Sequence, residues 1–143
     1  MSNATLDIRR RTIVFAAIVE IGTGLALMVD PAIVTALLVG TDLPGVGAVL
    51  GRCFGIALIA LGLACWSRPQ RAKDDSSAFW AMLTYNALIA LYLAYLGTFG
   101  HLRGLLLWPA VALHAVVTVL LVWTWRGERR TTKQTPSDAG QAS

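Results

Sequence analysis

Apolar residues fill four long stretches of the chain, at about residues 12–29, 46–66, 78–96 and 105–125, and polar residues gather between them. A hydrocarbon core about 30 Å thick takes about 20 residues of helix to cross, so each stretch is a candidate span. The pattern predicts an all-α chain: a polytopic membrane four-helix bundle with one short interfacial helix between spans one and two. That short helix is announced by Asp30-Pro31, an N-cap followed by Pro at the first helical position, with Gly40 placed to end it. Residues 31–39 are too few to cross a bilayer. Ile33, Val34, Leu37 and Leu38 share one face, which suits a helix lying at the outer interface. Pro44-Gly45 and the Gly-rich stretch 97–104 punctuate the outer turns, and a Pro sits among charges of both signs in the loop 67–77. Residues 1–11 read as a poorly ordered cytoplasmic N-terminal segment, 12–126 as one membrane domain and 127–143 as a disordered cytoplasmic tail.

Composition agrees with this pattern. In 143 residues, 56% are apolar and 14% charged, more apolar surface than so small a soluble domain can hide; lipid is the remaining solvent. The net charge of +4 raises the question of nucleic acid, and the placement of the charge answers it. Ten of the twelve Lys and Arg residues lie at Arg9, Arg10 and Arg11, at Arg68, Arg71 and Lys73, and at Arg126, Arg129, Arg130 and Lys133. All three groups flank apolar runs, the positive-inside signature, and none forms the basic patch of a nucleic-acid-binding domain. The pattern places both termini in the cytoplasm and the chain in the cell (inner) membrane as a multi-pass protein. Trp66, Trp80, Trp123 and Trp125 fall at the same cytoplasmic boundary, where an aromatic belt belongs. Arg9-Arg10-Arg11 ahead of an apolar run has the look of a targeting signal, but Glu20 interrupts the run and three more spans follow, so it reads as an uncleaved first helix.

The most informative residues are those that are costly in lipid. A charged side chain at a helix centre costs about 2.5–3.5 kcal/mol on insertion scales and faces the protein interior. At about 1.5 Å of rise per residue, Glu20 and Asn86 come out at similar depth, His114 near the midplane, and Arg52 nearer the outer side. Each span thus contributes one polar group, and a central network of Glu20, Arg52, Asn86 and His114 is expected, with Thr84, Tyr85 and Tyr92 as supporting donors. A Glu20–Arg52 pair would make Glu20→Leu destabilising unless Arg52 were changed as well. The same network has two uses: interhelical glue, or a site for a ligand, proton or substrate. Gly47, Gly51, Gly55 and Gly62 give span two a groove for close helix approach, either within the bundle or between copies in a homo-oligomer. Cys53 and Cys65 lie about 18 Å apart along one helix, too far for a disulfide, and read as apolar fillers. No metal site is expected, since His101 does not share the depth of His114. Nothing has the spacing of a phosphate loop, a Ser/His/Asp set or a paired-Cys redox motif. No catalytic residue is therefore assigned and no cofactor is predicted.

Two families share features with the chain. Ala17-Ile18-Val19-Glu20-Ile21-Gly22-Thr23 resembles the first helix of small multidrug resistance transporters, also four-span proteins with a membrane-embedded Glu. The Glu-to-Gly-Thr spacing is shifted by one, and Arg52, His114 and the longer first external segment depart from that family's pattern. The whole layout is similar to the DoxX-like group of small four-helix membrane proteins. It has Glu20 with Gly22-Thr23-Gly24-Leu25, then Asp30-Pro31 and a short helix, then Gly51-Arg52-Cys53-Phe54-Gly55-Ile56-Ala57-Leu58 and Gly62-Leu63-Ala64-Cys65-Trp66. Tyr85-Asn86 and His114 complete it, so that residues 12–126 are covered by short motifs. This resemblance implies a four-helix bundle in a redox or quinone neighbourhood. The leading expectation is a non-catalytic accessory or assembly subunit of a larger membrane complex. Its rivals are a proton-coupled small-molecule transporter using Glu20 and a quinone- or lipid-binding membrane protein.

Overall fold

Where the chain offers no helix breaker, it stays helical well past the apolar stretches. The computed structural model describes residues 3–42, 44–66, 75–100 and 102–132. They form α1 (Asn3–Val29), α2 (Pro31–Val39), α3 (Gly45–Trp66), α4 (Asp75–Phe99) and α5 (Leu107–Thr132), with no strand among the described residues. Four helices are long and apolar enough to cross a membrane, through Asp7–Val29, Gly45–Trp66, Ser77–Phe99 and Leu107–Gly127. The protein is accordingly all-α and a multi-pass membrane protein. Many large apolar side chains, among them Phe15, Ile18, Leu50, Leu88 and Leu91, are exposed on the outside of the bundle, where lipid replaces water as their solvent.

Two boundaries differ from the sequence expectation. α1 begins at Asn3, not near residue 12. Its first turns contain neither Gly nor Pro and are held by an Arg11–Asp7 ion pair one turn apart, 2.9 Å long. The Thr12 hydroxyl donates to the Ile8 carbonyl, and the Arg9 guanidinium lies 4.5 Å from the centre of the Phe79 ring. At the other end, α5 runs on through residues 127–132, past the expected start of the tail. The remaining tail, 133–143, and the loop segment 67–74 lie outside the described residues.

α1 packs most closely on α3, α4 on α5, and α1 also meets α5, while α3 and α4 touch more lightly. The buried positions show why. On α3 they are Gly55, Leu58, Gly62 and Cys65, and on α5 they include Leu107, His114, Val117, Leu121 and Thr124. Both sets alternate steps of three and four or repeat every seven, the spacing of a seam along which helices pack side by side. The largest buried cluster, with Phe79, Met82, Val117 and Leu121 against Ala16 and Ala17, sits towards the end of the bundle that carries Arg9, Arg10, Arg11 and Arg126. At this basic end Trp80 meets Trp125 edge to face at 5.5 Å, and Trp66 and Trp123 are exposed. Tyr95, Phe99 and Trp108 are exposed at the opposite end, so aromatic side chains ring both ends of the spans.

α2 closes that opposite end. The Asp30 carboxylate accepts from the Ile33 amide at 3.0 Å, Pro31 occupies the first turn, and Gly40 ends the helix in the left-handed region at φ 76°. The Leu106 amide then donates to the Leu37 carbonyl at 2.8 Å, tying α2 to the start of α5. Gly104 lies against the Leu38 carbonyl so closely that no side chain fits there. Asp30→Ala should destabilise the cap by about 1 kcal/mol. The check is faster hydrogen exchange at the Ile33 amide with exchange in the interior of α1 unchanged; uniform loosening of all five helices would instead assign Asp30 a wider role.

Candidate functional site

Glu20, Asn86 and His114 are brought together from α1, α4 and α5. On α1 the seam formed by Ala16, Ala17, Glu20 and Leu27 turns the carboxyl group inward, and Glu20 is 1% exposed. On α4 the Asn86 side chain is buried one turn beyond Met82, and its Nδ2 donates to the Met82 carbonyl at 2.9 Å. That bond sets the amide's orientation. With Nδ2 on the carbonyl, Oδ1 is left to face α5, where His114 Nδ1 stands 2.8 Å away. An amide oxygen only accepts, so Nδ1 carries the hydrogen and donates. This leaves Nε2 as the ring's acceptor when the imidazole is neutral. The next turn of α5 closes on itself, the Thr118 hydroxyl donating to the His114 carbonyl at 2.8 Å.

Glu20 stands beside this pair without sharing in it. Its Oε1 lies 4.0 Å from His114 Nδ1, beyond hydrogen-bond range, and the Nδ1 hydrogen is already engaged by Asn86. The Tyr85 hydroxyl donates to the Glu20 carboxyl group, and the Tyr85 ring meets the His114 ring edge to face at 5.9 Å. Oε1 is buried with no hydrogen-bond partner. The cluster is thus half closed. Asn86 and the Nδ1 of His114 are satisfied by the chain, while one oxygen of Glu20 is buried with no partner in it.

Arg52 does not belong to this cluster. It is exposed, and its Nε donates to the Met28 carbonyl at 3.4 Å, near the end of α1. There it neutralises a carbonyl that has no helical partner. Depth along a helix, from which the pairing with Glu20 was expected, carries no information on direction around it. The buried seam of α3 extrapolates back from Gly55 to Gly51, and Arg52 is turned about 100° away from Gly51. The Glu20–Arg52 pair is therefore replaced by two separate contacts. In a double-mutant cycle of Glu20→Leu and Arg52→Leu the effects should add to within about 0.5 kcal/mol; rescue of one substitution by the other in a detergent melt would restore the pair.

The supporting residues divide in the same way. Tyr85 reaches the carboxyl group itself, whereas Thr84 and Tyr92 are exposed on the outer face of α4 and support nothing in the cluster. Gly55 and Gly62 form the α1–α3 seam, with Gly47 and Gly51 less deeply placed. A Cβ on Gly55 would lie 2.7 Å from the Gly24 carbonyl oxygen, and one on Gly62 would lie 2.8 Å from that of Ala17. At Gly55 and Gly62 the groove is thus filled by α1 of the same chain. Gly24 was missed from the sequence; its seven-residue relation to Ala17 on the buried face of α1 is the signal that marks it. Cys53 is exposed and Cys65 buried, both as free thiols. Among the described residues no three His, Cys, Asp or Glu side chains converge as a metal site would require.

Compared with known proteins, the chain matches no family model, and no curated protein or solved structure is significantly similar to it.

Proposed function

We propose that the protein binds a small ligand of the quinone or lipid class between α1, α4 and α5, with Glu20 as the group that meets it. One observation carries this: Glu20 Oε1 is buried and has no partner within the chain. A cluster that only pins helices together has its polar groups satisfied, because an unpartnered group in hydrocarbon costs several kcal/mol. Asn86 and the Nδ1 of His114 behave in that way and Glu20 Oε1 does not. Such a ligand can enter from the bilayer, where apolar molecules with one polar end accumulate. The DoxX-like layout supports a setting for this site: a subunit of a larger, redox-linked complex of the cell (inner) membrane. The arginine distribution supports cytoplasmic termini.

The test is native mass spectrometry of the protein extracted from its own membranes in mild detergent. Wild type should carry a bound species that Glu20→Gln and Tyr85→Phe lose, while Thr84→Ala, on the outer face, keeps it. Wild type and Glu20→Gln each appearing at its own unliganded mass would remove the proposal. The same unpartnered oxygen also favours a second reading, proton-coupled transport with Glu20 as the group that takes up and releases the proton. That reading requires substrate flux in proteoliposomes to collapse in Glu20→Gln; undiminished flux eliminates it.

A further inference from the structure

The hydrogen-bonding pattern around Glu20 narrows the ligand's chemistry. The carboxyl proton, when present, can reside on Oε1, the oxygen that has no hydrogen-bond partner in the chain. In that state Oε1 is a donor lacking an acceptor. In the ionised state it is an acceptor lacking a donor. His114 Nδ1 is 4.0 Å from Oε1 and already bonded to Asn86 at 2.8 Å. A quinone carbonyl or an ether oxygen only accepts and satisfies the protonated state alone. A protonated amine only donates and satisfies the ionised state alone. A hydroxyl group does both.

Resting on the ligand-binding reading above, we infer that the ligand meets Glu20 with a hydroxyl group. The site therefore takes a hydroquinone in preference to its quinone, or a lipid with a free hydroxyl in preference to its fully esterified form. Nothing is oxidised or reduced in this step. The hydroxyl lies against Oε1 beside the edge of Tyr85, and the apolar remainder of the ligand extends into the surrounding aliphatic surface. Asn86 has a positioning role here. It engages the Nδ1 hydrogen at 2.8 Å, so that this hydrogen is not directed at Oε1.

Binding to the full chain in phosphatidylcholine nanodiscs tests this with two sets of probes. One is a short-chain alkyl hydroquinone with its quinone and its dimethyl ether; the other is a diacylglycerol with its acetylated counterpart. One hydroxyl probe should bind about tenfold tighter than its blocked forms, the equivalent of one hydrogen bond to a charged or buried group. Which set shows the difference identifies the source of the hydroxyl. In Glu20→Gln the amide nitrogen, a donor only, can meet a hydroxyl and an ether alike. The ratio of hydroxyl to ether binding should then fall to about one, and a merely structural role for Glu20 would leave that ratio unchanged. Quinone or ether binding as tight as the hydroxyl form overturns the inference, as does a co-purified ligand without a hydroxyl, though the latter leaves the site itself standing. Failure of every probe, with no ligand on the native protein, overturns both the inference and the binding site and leaves water as the partner of Oε1.

Discussion

Gly24→Val should drive α1 from α3 and cost about 3 kcal/mol of stability, the upper range for overpacking a close helix contact. A Cβ at Gly24 would lie 2.6 Å from the Gly55 carbonyl oxygen and 2.8 Å from Ile59 Cγ1. The first obstacle is backbone, so no rotamer change relieves it and the two helices must move apart. Reciprocity sharpens the expectation, because Gly55 presents its own missing Cβ to the Gly24 carbonyl at 2.7 Å. Gly22 is the control: a Cβ there meets nothing within 4 Å, and Gly22→Ala should be neutral or slightly stabilising through helix propensity. Unfolding in mixed micelles, followed by the helical signal, separates the two. Equal midpoints for Gly24→Val and Gly22→Ala would mean that the α1–α3 seam is not closed as described.

Asn86→Leu should be the most damaging substitution within the polar cluster, at about 2 kcal/mol, because it leaves the His114 Nδ1 hydrogen buried without an acceptor. Removing both partners should cost less than the sum. Asn86→Leu combined with His114→Leu replaces two mutually satisfied polar groups by apolar ones, and coupling of about 1 kcal/mol is expected, within the range measured for hydrogen bonds between membrane helices. The nitrogen-15 spectrum of His114 supplies an independent readout. In wild type it should report the form protonated at Nδ1, and in Asn86→Leu that preference should be lost. A tautomer indifferent to Asn86 would show that the Met82–Asn86–His114 chain does not orient the ring.

Much of this architecture was legible in the residues themselves. Run lengths alone placed four spans, and Asp30, Pro31 and Gly40 marked α2 because each has a local physical role that needs no tertiary partner. Boundaries set by polarity were less secure. The segment from Asn3 to Arg11 is polar yet helical, since nothing in it breaks a helix that is already nucleated. Side-chain direction was the main loss. Glu20, Asn86 and His114 were picked out by what it costs to bury them, and they do converge. Arg52 was grouped with them by depth, and its position around α3 takes it to Met28 instead. Tyr85 and Tyr92 are the same residue type seven positions apart, but only Tyr85 reaches the carboxyl group, while Tyr92 is 59% exposed. The difference is set by where α5 crosses α4, a property of the assembled bundle that a single helix does not contain.

Glu20 remains the residue on which the account turns, because it is buried where a purely structural residue would be satisfied. Measuring the unfolding free energy and the ligand occupancy of Glu20→Leu together decides its role. As a ligand-facing group with no ion-pair partner, it should be replaceable by Leu with stability held or raised to within about 1 kcal/mol of wild type, the lost Tyr85 bond included, while the co-purifying ligand disappears. A loss of about 3–5 kcal/mol, the signature of breaking a buried charge pair, with occupancy following stability, would contradict it and make Glu20 a structural member of the bundle.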